Sequence, residues 1–121
     1  MIFKGCGINI VTPFTDTNEV DFDSLGRLVD TYLKVGSQAI ILGRTTGEFY
    51  AMSDNEILEV VDFVVKRVNK KVPVLAQTGL NDTSRSVILS IRAKALGLDG
   101  LILSAPYYSQ GNELGLISHF K

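Results

Sequence analysis

Ala39-Ile40-Ile41-Leu42, then Gly43-Arg44-Thr45-Thr46-Gly47-Glu48, then Ser53-Asp54-Asn55-Glu56 ahead of Ile57, Val60, Val61, Val64 and Val68, is the stretch that decides the fold. An unbroken apolar run suits a strand covered on both faces, as in a parallel sheet. Ser53 with Glu56 three residues on has the spacing of a capping box, and the apolar residues behind it recur at helical period. The segment therefore predicts one βα unit: a strand over 39–42, a loop over 43–52, and a helix from 53 onward.

The same pattern extends in both directions. Upstream, a strand over 7–11 is broken by Thr12-Pro13, and Leu25, Leu28, Val29, Tyr32 and Leu33 form one apolar stripe of a helix that Gly36 terminates. Downstream, a strand over 72–76 carries Pro73 near its start, where a missing N–H matters least. The turn Gln77-Thr78-Gly79-Leu80-Asn81-Asp82-Thr83 leads into a third helix whose expected buried face is Val87, Ile88, Ile91 and Ala95. A fourth strand over 100–104 ends in Ala105-Pro106-Tyr107-Tyr108. A fourth helix starts near Asn112, with Leu116, Ile117 and Phe120 as its apolar positions.

Alternating strands and helices define an α/β chain with a parallel sheet. The strands recur roughly every 30 residues, so eight units need about 250 residues, the usual length of a (β/α)8 TIM barrel. A small open doubly wound sheet has the same local units. The last helix stops inside an apolar face, so the expectation is a half barrel: residues 1–121 as the N-terminal part of a single barrel domain.

Composition narrows the partners. Hydrophobic residues are 45% and charged residues 21%, with a formal net charge of −1. That balance belongs to a globular domain without the basic field that attracts nucleic acid or an anionic membrane. The basic residues Lys66, Arg67, Lys70 and Lys71 fall at the end of the second helix, where cations complement its dipole. Cys6 is the one cysteine and His119 the one histidine. No disulfide framework and no metal site follow from them, and Cys6 reads as a small apolar residue at a strand edge. The N-terminus has no long apolar run, so the expected location is the cytoplasm.

In an α/β architecture the chemistry belongs at the carboxyl ends of the strands. Four segments qualify: Thr12-Pro13, Gly43 through Glu48, Gln77-Thr78-Gly79, and Ser104 through Tyr108. A Thr-Thr-Gly turn suits a carboxylate or phosphate, although spacing alone favours an ordinary hydroxyl-capped turn. Tyr107 and Tyr108 read either as proton-relay phenols or as packing residues with wet hydroxyls. Gly5-x-Gly7 precedes its strand, which excludes a dinucleotide fingerprint. No cofactor is called for.

Val11-Thr12-Pro13-Phe14, Thr45-Thr46-Gly47-Glu48, Gln77-Thr78-Gly79 and Pro106-Tyr107-Tyr108 follow the four strands in turn. In order, spacing and content the chain resembles the dihydrodipicolinate synthase family, pyruvate-dependent class I lyases with a barrel fold. In that family a buried lysine on the sixth strand forms a Schiff base with pyruvate, and the enamine attacks an aldehyde, here aspartate semialdehyde. The resemblance implies that Thr46 binds the pyruvate carboxylate. Thr45 joins a proton relay that Tyr108 completes by reaching into a neighbouring subunit's site, within a homo-oligomer, dimer or tetramer. It also places the lysine beyond Lys121, so the 121 residues alone are expected to form no Schiff base.

Three residues depart from the family pattern. Arg44 stands where glycine is usual, and implies either altered loop geometry or a more acidic aldehyde. Phe49 and Arg85 stand where lysine-inhibited members carry a small polar residue and a glutamate, although Asn81 matches; the implied whole enzyme is insensitive to lysine. Two alternatives stand beside the leading one. The first is a relative that cleaves N-acetylneuraminate or a 2-keto-3-deoxy sugar acid. The second is a non-catalytic half barrel that self-associates through its open sheet edge.

Overall fold

The computed structural model describes residues 1–109 and 111–121. The capping box forms as read: the Ser53 hydroxyl accepts the Glu56 N–H at 3.3 Å and the Glu56 carboxylate accepts the Ser53 N–H at 2.8 Å. It opens α2, Asp54–Val68, in which Ile57, Val60, Val61, Val64 and Val68 are all buried. In front of it stands β2, Ala39–Leu42, with the predicted bounds. The remaining elements are β1 Gly7–Asn9, α1 Phe22–Lys34, β3 Val74–Gln77, α3 Thr83–Ala95, β4 Gly100–Ile102 and α4 Glu113–Phe120. A 3-10 turn, Phe49–Ala51, shortens the loop after β2.

The four strands are parallel in the order β1-β2-β3-β4, each paired with its neighbour in sequence. Successive side chains of a strand point to opposite faces. Ile8, Ile10, Ile40, Leu42, Val74 and Ala76 pack with Leu25, Val29 and the α2 valines into one apolar core on the helix side. Asn9, Ile41, Leu75 and Gln77 alternate with them and turn to the other face. Asn9 lies opposite Ile41, Ile41 opposite Leu75, and Leu75 opposite Gly100.

Charges gather at the helix-end side of the sheet. Lys66 pairs with Asp62, Arg67 with Asp30, and Lys70 with Asp99. The Asp99 carboxylate also accepts the Val74 N–H at 2.9 Å, which ties β3 to the approach of β4.

Three expectations change. In α3 the buried residues are Ser86, Leu89 and Ala93, while Val87, Ile88, Ile91 and Ala95 are exposed. The helix packs on the core through Leu89 and Ala93. Val87 and Ile91 line a surface groove with Leu101, Leu103 and Phe120. Helix α4 has no buried residue. Cys6 is exposed beside β1, its N–H held by the Gln38 side chain at 2.7 Å, so it does not pack as an apolar residue.

Candidate active site at the carboxyl ends of the strands

The loop after β2 is built around a turn that folds back on itself. The Gly47 N–H donates to the Gly43 carbonyl at 2.9 Å, and a Cβ on Gly47 would fall 2.8 Å from the Gly43 backbone. Only glycine fits there. The buried Thr12 hydroxyl donates to the Gly47 carbonyl at 2.7 Å, fastening the segment after β1 to this loop. With its base pinned, the loop holds Thr45 and Thr46 at the surface, side by side at the end of β2. Arg44 and Glu48 flank them in left-handed conformation, with φ of 57° and 56°.

Two amides from the non-helical face of the sheet rise to meet these loops. Asn9 donates through Nδ2 to the Thr46 hydroxyl at 3.2 Å, while its buried Oδ1 has no hydrogen-bond partner among the described residues. Gln77, buried at the end of β3, shares its Nε2 hydrogens among the Tyr50 hydroxyl at 2.6 Å, the Ser104 hydroxyl at 2.9 Å and the Gly79 carbonyl at 3.1 Å. Tyr50 in turn meets Tyr107 edge to face, with centroids 5.0 Å apart. Three strand ends are thereby cross-linked by polar contacts of side chains.

Of the residues singled out from the sequence, Thr45 and Thr46 share one surface. Tyr108 does not join them: it is fully exposed, with φ of 71°, and among the described residues it has no hydrogen bond to either threonine. The sequence reading missed Asn9 and Tyr50, and it placed Gln77 and Ser104 in candidate strand-end segments without giving either a role. The available signal was an amide interrupting an apolar strand, Ile8-Asn9-Ile10, on the face turned away from the helices.

Arg85 and Asp54 form a forked ion pair, with Nη2 and Nε of the guanidinium 2.7 and 2.9 Å from Oδ1. The Asp54 hydrogen bond raises the Arg85 pKa above its ordinary value, against the opposing effect of burial. No lysine occupies a strand's carboxyl end among the described residues. Lys4 precedes β1, Lys34, Lys66 and Lys94 are helical, Lys70 and Lys71 follow α2, and Lys121 is terminal. No three His, Cys, Asp or Glu side chains cluster as metal ligands among the described residues. Nor is any described helix long and apolar enough to cross a membrane.

The model of the dihydrodipicolinate synthetase family matches residues 2–121. The chain belongs to that family. A 4-hydroxy-tetrahydrodipicolinate synthase of Caldicellulosiruptor bescii is 49% identical over 120 residues, which cover 99% of this chain and 41% of the relative. The crystal structure of the dihydrodipicolinate synthase of Aquifex aeolicus superimposes with a TM-score of 0.94 at 38% identity, over 98% of this chain and 40% of that one. The chloride-inhibited enzyme of Acinetobacter baumannii, solved in complex with pyruvate, gives 0.95 at 35% identity, over 99% of this chain and 41% of that one. The chain thus spans about two-fifths of the length of these family members. Its four parallel βα units are a partial (β/α)8 barrel.

Proposed function

We propose that this segment supplies part of the active site of a pyruvate-dependent lyase that joins pyruvate to an aldehyde through a Schiff base. Aspartate semialdehyde is the aldehyde that membership of the family favours. The single observation that carries the reading is the pinned Thr45-Thr46 loop at the carboxyl end of β2, in a chain of this family. Thr46 receives the pyruvate carboxylate through its N–H and hydroxyl, a role suited to an exposed threonine on a loop whose base is pinned. Thr45 moves protons with a tyrosine. Covalent catalysis of this kind uses an amine made nucleophilic by desolvation, with hydroxyls handling its protons.

Tyr108 completes the relay in a neighbouring subunit, and its full exposure supports that assignment over one within its own chain. The protein is accordingly a homo-oligomer, dimer or tetramer, acting in the cytoplasm. Residues 1–121 form the first part of one barrel domain. The exposed groove of Val87, Ile91, Leu101, Leu103 and Phe120 supports this, because further βα units would cover it.

The amine is supplied outside these residues, since none of the lysines in the segment reaches a strand's carboxyl end. Incubation with pyruvate and borohydride followed by intact-mass measurement tests this directly. The 121-residue chain should gain no reduced adduct, and the full-length protein should gain one per subunit. An adduct on the short chain would place the amine within it. A second reading, cleavage of a sugar-derived 2-keto acid, is favoured by Arg44. It is the one arginine of five without a side-chain hydrogen bond among the described residues, and it stands beside the threonines. Relative kcat/KM for aspartate semialdehyde and for sugar aldehydes decides between the two.

A further inference from the structure

We infer that Asn9 is a positioning residue of the pyruvate site, acting through the Thr46 hydroxyl and offering its own carbonyl oxygen to the bound ligand. The inference rests on the proposed reading of the site as one for a 2-oxo acid.

Asn9 interrupts an apolar strand on the face away from the helices, with Ile41 beside it in register. Asn9 is half-buried, but its Oδ1 is out of reach of solvent, and a buried polar atom costs free energy unless it is paired. Only one end of the Asn9 amide is. Nδ2 donates to Thr46 Oγ1 at 3.2 Å, and Oδ1 is the one buried side-chain N or O atom without a partner among the described residues. Exchanging the amide's oxygen and nitrogen leaves the same deficit, with a bare Nδ2 in place of a bare Oδ1. The chain therefore keeps an unpaired amide end directly beneath a threonine at the mouth of the site.

The direction of the existing bond gives it a use. A hydroxyl has one hydrogen and two lone pairs. Because Thr46 Oγ1 accepts from Asn9, its hydrogen is left to donate, and an accepted hydrogen bond strengthens the one donated onward. An anionic carboxylate takes that hydrogen. The remaining Oδ1 then accepts an N–H or O–H of the ligand or of the amine that holds it.

The test uses the full-length protein and reads the pyruvate KM together with the pyruvate dependence of borohydride trapping. Asn9→Ala should raise both by roughly threefold to tenfold, the worth of one neutral hydrogen bond, with kcat little changed. Asn9→Asp keeps the shape, yet it cannot donate, so it captures the Thr46 hydrogen and sets a negative charge beside the carboxylate. It should be the worse variant, by about a hundredfold or more, as expected when a charged group is left mispaired. In a Thr46→Val background, Asn9→Ala should cost clearly less in pyruvate KM than it does in the parent, because only the direct contact of Oδ1 is then left to lose.

An Asp variant milder than Ala, or an Ala effect that persists in full without the Thr46 hydroxyl, overturns the inference while the function stands. Absence of any pyruvate adduct in the unaltered full-length protein overturns the proposed function and the inference with it. Where the Asp variant does not fold, the Ala and Thr46→Val pair decides.

Discussion

Replacing Thr12 by valine removes a hydroxyl at nearly constant volume from a position only 6% exposed. That hydroxyl donates to the Gly47 carbonyl at 2.7 Å, and Gly47 is itself buried. The loss of one neutral hydrogen bond is worth about 0.5–1.5 kcal/mol, and leaving the partner carbonyl buried and unpaired brings the cost to about 1–3 kcal/mol. Valine's extra methyl regains part of this through burial, up to about 0.8 kcal/mol. A net loss near 1.5 kcal/mol follows, read as a lower urea midpoint at unchanged slope in the full-length protein. Thr12→Ser is the control, because it keeps the donor and gives up only a methyl. The order of stability should be threonine, then serine, then valine. Since the same bond pins the loop bearing Thr45 and Thr46, the pyruvate KM should rise in the valine variant and stay near normal in the serine one. A valine variant as stable as the parent, or serine and valine equally impaired, would refute the account of Thr12 as a loop clamp.

Arg44→Gly relieves a left-handed backbone at φ 57°. With that strain near 1–2 kcal/mol and glycine's greater unfolded-state freedom set against it, a gain of about 0.5–1 kcal/mol is expected from denaturant unfolding. Asp99 carries a pH prediction. Burial raises its pKa, but the Val74 N–H and Lys70 outweigh this and leave it lowered. A carboxyl with a lowered folded value contributes stability above its unfolded pKa of about 3.9 and loses it as pH falls through the folded value. Asp99→Asn should therefore be less stable than the parent at neutral pH, with the gap closing below about pH 4, in paired melts across pH. The full-length enzyme should keep its activity in millimolar lysine, because Arg85, fixed by Asp54, meets an incoming ammonium with like charge; inhibition in a steady-state assay would count against this.

The parts of the fold that were legible in the sequence are those where one physical requirement acts alone. β2 could be bounded because its unbroken apolar run stops at Gly43, and α2 because a capping box and a single valine stripe agree. Helix α3 defeated the same reasoning. It has apolar residues on two sides, and periodicity picks out the longer set of Val87, Ile88, Ile91 and Ala95, whereas the core takes Leu89 and Ala93. At the candidate site, the rule that chemistry gathers at strand ends picked out four segments, the Gly43–Glu48 loop among them, and the family resemblance singled out Thr45 and Thr46 within it. Neither could find Asn9, whose meaning depends on a contact 37 residues away. Nor did either reveal Gln77 as the hub of three strand ends, since Gln77-Thr78-Gly79 has the composition of an ordinary turn.

The sheet order β1-β2-β3-β4 has a consequence for synthesis. Every strand finds its partner in the one made just before it, so each βα unit can settle as it leaves the ribosome without waiting for distant chain. Pairings between sequence neighbours keep the loops to be closed short, and short loops close at little entropic cost. The growing edge is then at every stage a template for the next strand, and premature release of the nascent chain leaves that template bare. Chaperone capture of stalled nascent chains should accordingly peak just after a strand emerges and fall once the following one has docked.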